Sequence, residues 1–256
     1  MPIGIAIITF NRPDLCDRVR KSVVATAPND AYIIVVNDGE PYVRRMNDGV
    51  DCWLYNEERK GVAFSKNAAI RHLRKQGCDR IFIIEDDVEI LDSVVWQHYI
   101  DASNTSGIHH LNFQHNIVGR KPTITVPYPS AQSIDLFFHP EGAFSYFHCN
   151  LFDQIGVFDE QYTNAFEHVD LEYRLDKAGL APPFWCFPDI LNSENLLKPI
   201  STTSTITNRE DYRVNWQASA NHFVDKHGMF TSSIPFPSQE YFSERMSHLY
   251  ANYRQS

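Results

Sequence analysis

RIFIIEDDVEI, residues 80–90, decides how this chain is read. Four consecutive apolar residues, Ile81 to Ile84, form a run short enough for a strand and too uniformly apolar for one with a wet face. Such runs belong to parallel strands covered on both faces. The run ends abruptly in Glu85, Asp86 and Asp87. Three adjacent like charges are unfavourable unless solvent or a cation compensates them. Two readings follow from the residues: a solvated acidic turn opening a helix, where negative charge is favoured, or carboxylates holding a hard divalent ion together with substrate phosphates. Residues two apart on an extended chain share a side, so Glu85 and Asp87 can point together with Asp86 opposite.

Outward from this stretch the first hundred residues alternate strand and helix. IGIAIITF at 3–10 reads as a buried strand, broken by Asn11-Arg12-Pro13, and Pro13-Asp14 opens a helix to about residue 26. YIIVV at 32–36 is a second buried strand, ended by the turn Asn37-Asp38-Gly39. A short strand is expected at 52–56, a helix from Gly61 to Arg74 with Val62, Ala69, Ile70 and Leu73 on one face, and another helix near 92–102. The alternation predicts an α/β fold: a mostly parallel central sheet with helices on both faces. Ligands of such sheets bind beyond the carboxyl ends of the strands, where three polar clusters fall: Thr9 to Arg12, Asn37-Asp38, and Glu85 to Asp87. Turn chemistry alone also accounts for Asn37-Asp38-Gly39.

The second half is less regular. Short β-like runs fill 109–140, GAFSYFHCNLF at 142–152 reads as a strand entering a helix, 166–179 and 215–227 read as helices, and the polar stretch 193–212 reads as a loop. Glu167, His168 and Asp170 open the first of these helices, where acids cap or serve as a general base. Asp170 and Arg174 are spaced for an i,i+4 ion pair. Trp53, Tyr146, Trp185 and Trp216 are candidates for stacking on sugar rings, against the commoner fate of aromatic core residues.

The chain has 256 residues, 43% hydrophobic and 21% charged, with a formal net charge of −9. That length suits one domain with its own core. The acidic balance argues against a protein that coats nucleic acid. No run approaches the roughly 20 apolar residues of a membrane helix, and the amino terminus has no signal-peptide pattern. Five scattered cysteines without a CxxC pair fit reduced thiols in a cytoplasmic protein. The eleven histidines form no zinc pattern.

Taken in order, the clusters resemble a family 2 glycosyltransferase of the Rossmann-like GT-A fold. IITFNRPDLCDRVRKSV is similar to that family's first strand and helix, VVNDGE at 35–40 to its nucleoside-holding turn, NEERKGVAFSKNAAI at 56–70 to the segment before its second long helix, IIEDDVEI at 83–90 to its Asp-x-Asp motif, and IGVFDEQYTNAFEHVDLEYRLDKAG at 155–179 to its acceptor-side block. NWQASANHFVDKHG at 215–228 resembles a common family ending.

The resemblance implies one GT-A domain over 1–230, with a nucleotide-binding half at 1–105, an acceptor-binding half at 106–230, and a C-terminal extension at 231–256. It implies a metal-dependent, inverting transfer of a hexose or N-acetylhexosamine from a nucleotide sugar, with UDP favoured, to a hydroxyl of a glycan or other acceptor; a nucleic-acid acceptor is not favoured. Asp38 would contact the base, with Thr9, Asn11 and Arg12 lining its pocket and Lys60 and Asn67 near the nucleotide. Asp87, with Glu85, would bind Mn²⁺ or Mg²⁺; Asp86 would face the ribose or donor sugar; Gly142, Ala143 and Phe144 would floor the donor-sugar pocket. The sequence departs from the pattern at His168, where the family has its catalytic Asp. Either His168 is the base, or Glu167 or Asp170 has taken over, or catalysis is impaired. The alternatives to an active transferase are therefore a nucleotide-sugar-binding protein and, less favoured, a sugar nucleotidyltransferase, for which a basic triphosphate loop near residue 10 is missing.

Overall fold

The computed structural model describes residues 2–42, 49–56, 58–115, 119–128, 133–200 and 212–253. In chain order the elements are β1 (Ile3–Thr9), α1 (Pro13–Thr26), β2 (Tyr32–Asn37), β3 (Cys52–Tyr55), α2 (Val62–Lys75), β4 (Arg80–Glu85), β5 (Val88–Ile90), α3 (Val94–Ser106), β6 (His110–Asn112), β7 (Ile124–Val126), β8 (Ile134–Phe137), β9 (Phe144–His148), α4 (Asn150–Ile155), α5 (Glu167–Ala178), β10 (Phe187–Ile190), β11 (Leu197–Pro199), α6 (Tyr212–His227) and α7 (Gln239–Tyr253).

The central sheet has the order β3-β2-β1-β4-β9-β6. β1, β2, β3 and β4 are mutually parallel, and β9 runs antiparallel to both β4 and β6. Side chains alternate between the faces, as the pleat requires. Ile5, Ile7, Ile33, Val35, Phe82 and Ile84 meet α1 and α3 on one face. Ala6, Ile8, Ile34, Val36, Ile81 and Ile83 meet α2, α4 and α5 on the other. Ile81 to Ile84 are all completely buried, each contributing about 1.5–3 kcal/mol of apolar burial. Helices on both faces of a mostly parallel sheet are what the alternating pattern predicted.

Local chemistry sets the boundaries. Pro13 begins α1, where its missing amide is no loss, and Pro28 follows just beyond its end. α3 ends in Gly107 at φ 74°. A Cβ there would meet the carbonyl oxygen of Leu249 at 2.0 Å, so this glycine serves both the turn and the close approach of α7. Met246 and Leu249 of α7 belong to the same core cluster as α3, which ties the expected C-terminal extension to the first face of the sheet.

The second half differs from expectation in two places. β10, unforeseen in the sequence, pairs with β8 in a small antiparallel sheet, β10-β8-β7. Part of the expected 193–212 loop is β11, paired with β5; residues 201–211 lie outside the described residues. A third core cluster joins Tyr173, Phe184, Phe187, Phe223 and Ile234. No described helix is long and apolar enough to cross a membrane.

Candidate active site

Strand register brings the polar clusters together. Thr9 ends β1 level with Asn37 of β2, and Ile8 is level with Glu85 of β4. The ladder continues one residue past each strand: the Asp38 amide donates to the Thr9 carbonyl at 3.0 Å, and the Asp86 amide to the Ile8 carbonyl at 3.1 Å. Asp38 and Asp86 therefore flank the end of β1. A groove opens there, lined by Thr9, Phe10, Arg12, Asp38, Arg59, Glu85 and Asp86 among others. It adjoins a second, outer hollow lined by Phe10, Asn11, Asp38, Gly39, Tyr55 and Arg59.

Asp38 organises one wall. Its carboxylate accepts from Asn56 Nδ2 at 2.6 Å and from the backbone amides of Lys60 and Gly61, both at 2.8 Å. Two carboxylate oxygens offer about four acceptor positions, so about one is left for a ligand. Gly61 has φ 96°, and a Cβ there would meet the Thr163 carbonyl at 2.6 Å, which explains the glycine. The Lys60 side chain lies near Glu58 at the surface. Arg59 stacks over the Phe10 ring at 4.6 Å and donates to Asn164 Oδ1 at 2.5 Å.

The three acids of the decisive stretch meet different fates. Asp86 is 1% exposed; it accepts from Thr9 Oγ1 at 2.6 Å and pairs with the Arg12 guanidinium. Burial raises its carboxyl above the usual range, against the pull of Arg12. Asp87 lies 3.7 Å from the same guanidinium. Its Oδ1 is buried and has no hydrogen-bond partner among the described residues. Burial, then repulsion from Glu85, pushes its carboxyl up to about 7. Glu85 turns instead to Lys66, whose Nζ lies 2.8 Å from its Oε1.

Lys66 is the centre of the site and was missed by the reading of the sequence. Its ammonium is completely buried, 2.6 Å from His168 Nε2 and 3.4 Å from both Glu167 Oε1 and the Gly142 carbonyl. Burial alone would lower its pKa, but Glu85 and Glu167 outweigh burial and raise it. The signal was present: Lys66 shares the apolar face of Val62, Ala69, Ile70 and Leu73, and a lysine on a buried face needs partners. Burial, then Lys66, lowers the His168 pKa well below its ordinary value, so the ring is neutral and accepts from the ammonium. Burial raises Glu167. Gly142 is obligatory beside this ring, because a Cβ would fall 1.8 Å from His168 Nε2. Glu85, Glu167 and His168 each bring a ligand atom within 4.8 Å of the others, a spacing suited to a metal, yet Lys66 stands among them.

The other expected site residues are placed as follows. Ala143 accepts from the Glu85 amide at 2.6 Å through its carbonyl. Phe144 is fully buried against Phe82, Trp96 and Tyr99. Asn67 is buried and tied to the Phe158 backbone and Glu160, away from the residues lining the groove. Asp170 is completely enclosed by Arg174 Nε at 2.8 Å, His227 Nε2 at 2.8 Å and Lys226 Nζ at 2.9 Å.

No family model matches the chain, and no curated protein matches it. Solved structures do. The mannosyltransferase PcManGT from Pyrobaculum calidifontis, in complex with GDP-Man and Mn²⁺, is 13% identical with a TM-score of 0.55, over 99% of this chain and 70% of that one. S. aureus TarS 1-349 in complex with UDP is 10% identical with a TM-score of 0.57, over 99% and 71%. GalNAc-T7 with UDP, GalNAc and Mn²⁺ is 9% identical with a TM-score of 0.56, over 100% and 56%. At these identities the likeness establishes the fold: the chain has the GT-A architecture of these glycosyltransferases.

Proposed function

We propose that this chain is a glycosyltransferase that moves a sugar from a nucleotide donor, UDP-sugar favoured, to an acceptor hydroxyl with inversion. The observation that carries the reading is the convergence of Asp38, Glu85 and Asp86 on one groove at the ends of β1, β2 and β4, with Asp87 3.7 Å from the Arg12 guanidinium that also lines it, in a fold whose solved representatives hold UDP or GDP-mannose.

In this reading the base and ribose lie in the groove against Asp38, Phe10 and Arg12. The residues fit a divalent ion at Asp87, whose buried, unpartnered Oδ1 and raised carboxyl pKa mark an acceptor awaiting a cation. Mn²⁺ or Mg²⁺ held there would neutralise charge on the diphosphate leaving group. Glu85 orients Lys66 more than it ligates. Glu167 takes the acceptor's proton: burial tunes its carboxylate upward, as a general base requires, and Lys66 steadies it. His168, with Nε2 facing the Lys66 ammonium, positions that cluster. Asp170, enclosed by cations, holds α6 in place.

Calorimetric titration with UDP-, GDP- and dTDP-sugars, with and without Mn²⁺, tests the donor site. One nucleotide class binding tightly only with metal, and weakly in Asp38→Ala, is the expected result. Binding of a donor with no transfer to any acceptor would favour the impaired, sugar-nucleotide-binding alternative.

A further inference from the structure

The four aromatic side chains that the sequence offers as sugar platforms are separated by the structure. Tyr146 is fully buried in the core. Trp53 is half-buried and stacked on Tyr55. Trp185 is stacked between neighbours, with its indole N–H donated to the Ile234 carbonyl at 2.9 Å. Trp216 alone of the four is open, with 44% of its surface exposed on α6. Its ring meets the Phe166 ring edge-on, centroids 5.4 Å apart. Phe166 directly precedes Glu167, the acid assigned above as the base.

A line of contacts connects this pair to the donor groove. Phe10 lines the groove, Arg59 stacks on Phe10, and Arg59 grips Asn164, two residues before Phe166. Phe166 holds a left-handed backbone, φ 70°, a conformation unfavourable for a bulky side chain. It persists because Phe166 is fixed on both sides, against Trp216 and, at 6.1 Å, against the buried Phe223.

On the strength of the glycosyltransferase reading, we infer that Trp216 is the acceptor platform and that the acceptor is a saccharide, bound with a pyranose ring against the indole. An indole presents an apolar face with a polar tip, the complement of a pyranose with its C–H face and equatorial hydroxyls. Around the pair, Asn164 accepts from Arg59 and Gln217 donates to Asn221 at 2.9 Å, so the polar groups flanking it include neutral amides. Phe166 joins the platform to Glu167 through the chain and, through Asn164 and Arg59, to the Phe10 wall of the donor groove, so in this inference a ring seated on Trp216 carries a hydroxyl toward the base.

The test uses the full-length protein saturated with UDP and Mn²⁺. The indole N–H resonances are followed by NMR while cellotetraose, chitotetraose and maltotetraose are added in separate titrations; Trp216 is assigned with Trp216→Phe. Phosphatidylglycerol vesicles and an unglycosylated Ser/Thr-rich peptide form the comparison arms. At least one saccharide is expected to shift the Trp216 signal. Trp216→Ala is expected to weaken that saccharide's binding about tenfold, the factor that corresponds to 1.4 kcal/mol, while UDP affinity stays unchanged. A thermal melt of Trp216→Ala checks that the fold is kept, Trp216→Phe retains a ring against Phe166 and should lose less saccharide affinity, and Val214→Ala serves as a neighbouring control. UDP binding without any saccharide effect at Trp216, or a shift produced only by vesicles or peptide, overturns the inference. Failure of UDP itself to bind overturns the donor reading beneath it instead.

Discussion

Two buried ionic clusters stand one turn apart on α5 and differ in completeness. Around Asp170, one carboxylate is met by Arg174, Lys226 and His227. The cations outweigh burial and hold its carboxyl below the ordinary range. Around Lys66, one ammonium serves Glu85, Glu167 and neutral His168; beyond Glu85, Asp87 keeps an unpartnered oxygen and a raised carboxyl. Satisfied networks rigidify a structure. Buried polar atoms left unsatisfied call for an explanation such as a ligand or ion. The contrast assigns architecture to the first cluster and, under the proposed function, chemistry to the second, although Glu167 and Asp170 are only three positions apart.

Exchanging single groups sharpens the contrast. Glu167→Gln keeps the shape but removes the proposed base, so turnover should fall by about 10²- to 10⁴-fold with little change in melting temperature. Steady-state kinetics alongside a thermal melt separates the two. Asp170→Asn should do the reverse, because it leaves cations buried without their counter-charge. A loss of about 3–5 kcal/mol is expected in urea unfolding, with nearly normal turnover from the molecules that remain folded.

Lys66→Met should destabilise on a similar scale, about 3–5 kcal/mol, and also reduce turnover. Here the clusters part again: Glu85, Glu167 and His168 have ligand atoms within 4.8 Å of one another. Removing the ammonium frees this set for a second divalent ion, so Mn²⁺ should raise the melting temperature of Lys66→Met by more than that of Asp170→Asn, in which the Asp87 site alone would take the ion. If Mn²⁺ treats both variants alike, the two clusters are not different in kind.

The pH response is the smallest effect. Asp159 is held below its ordinary pKa, with bonds from Lys226 and His222 outweighing burial, and Asp170 behaves likewise. Depressed carboxyls stabilise the fold at pH above their unfolded pKa of about 4, and that stability drains away as pH falls toward their folded values. Acid should therefore loosen α6 from α5 below about pH 4. Lys226→Ala should flatten this dependence, as followed by hydrogen exchange of α6 amides.

The same contrast shows what sequence could carry. The continuous apolar runs of Ile3–Thr9, Tyr32–Asn37 and Arg80–Glu85, buried almost throughout, and the Pro13 start of α1 are local properties, so the parallel half was legible residue by residue. Acids at strand ends marked the groove because strand register is a consequence of the fold class. β10 and α7 were not legible: Phe187-Pro188-Asp189-Ile190 has no alternating signal, and α7 packs only through a few side chains such as Met246 and Leu249. Lys66 needed a three-dimensional fact, since its partners lie 19, 101 and 102 residues away. Whether Glu167 or Asp170 was free to act depended on α6 folding back, which neither residue's own surroundings in sequence disclose.

The central claim is transfer from a nucleotide sugar at the groove served by Asp87. It is tested most directly by measuring nucleoside diphosphate released from UDP-, GDP- and dTDP-sugars with Mn²⁺, in the wild type and in Asp87→Ala, with saccharide acceptors present. The account predicts metal-dependent release from one donor class, abolished in Asp87→Ala while the variant's fold is intact. Release that Asp87→Ala leaves untouched, or no nucleotide bound or released with any metal, would contradict it.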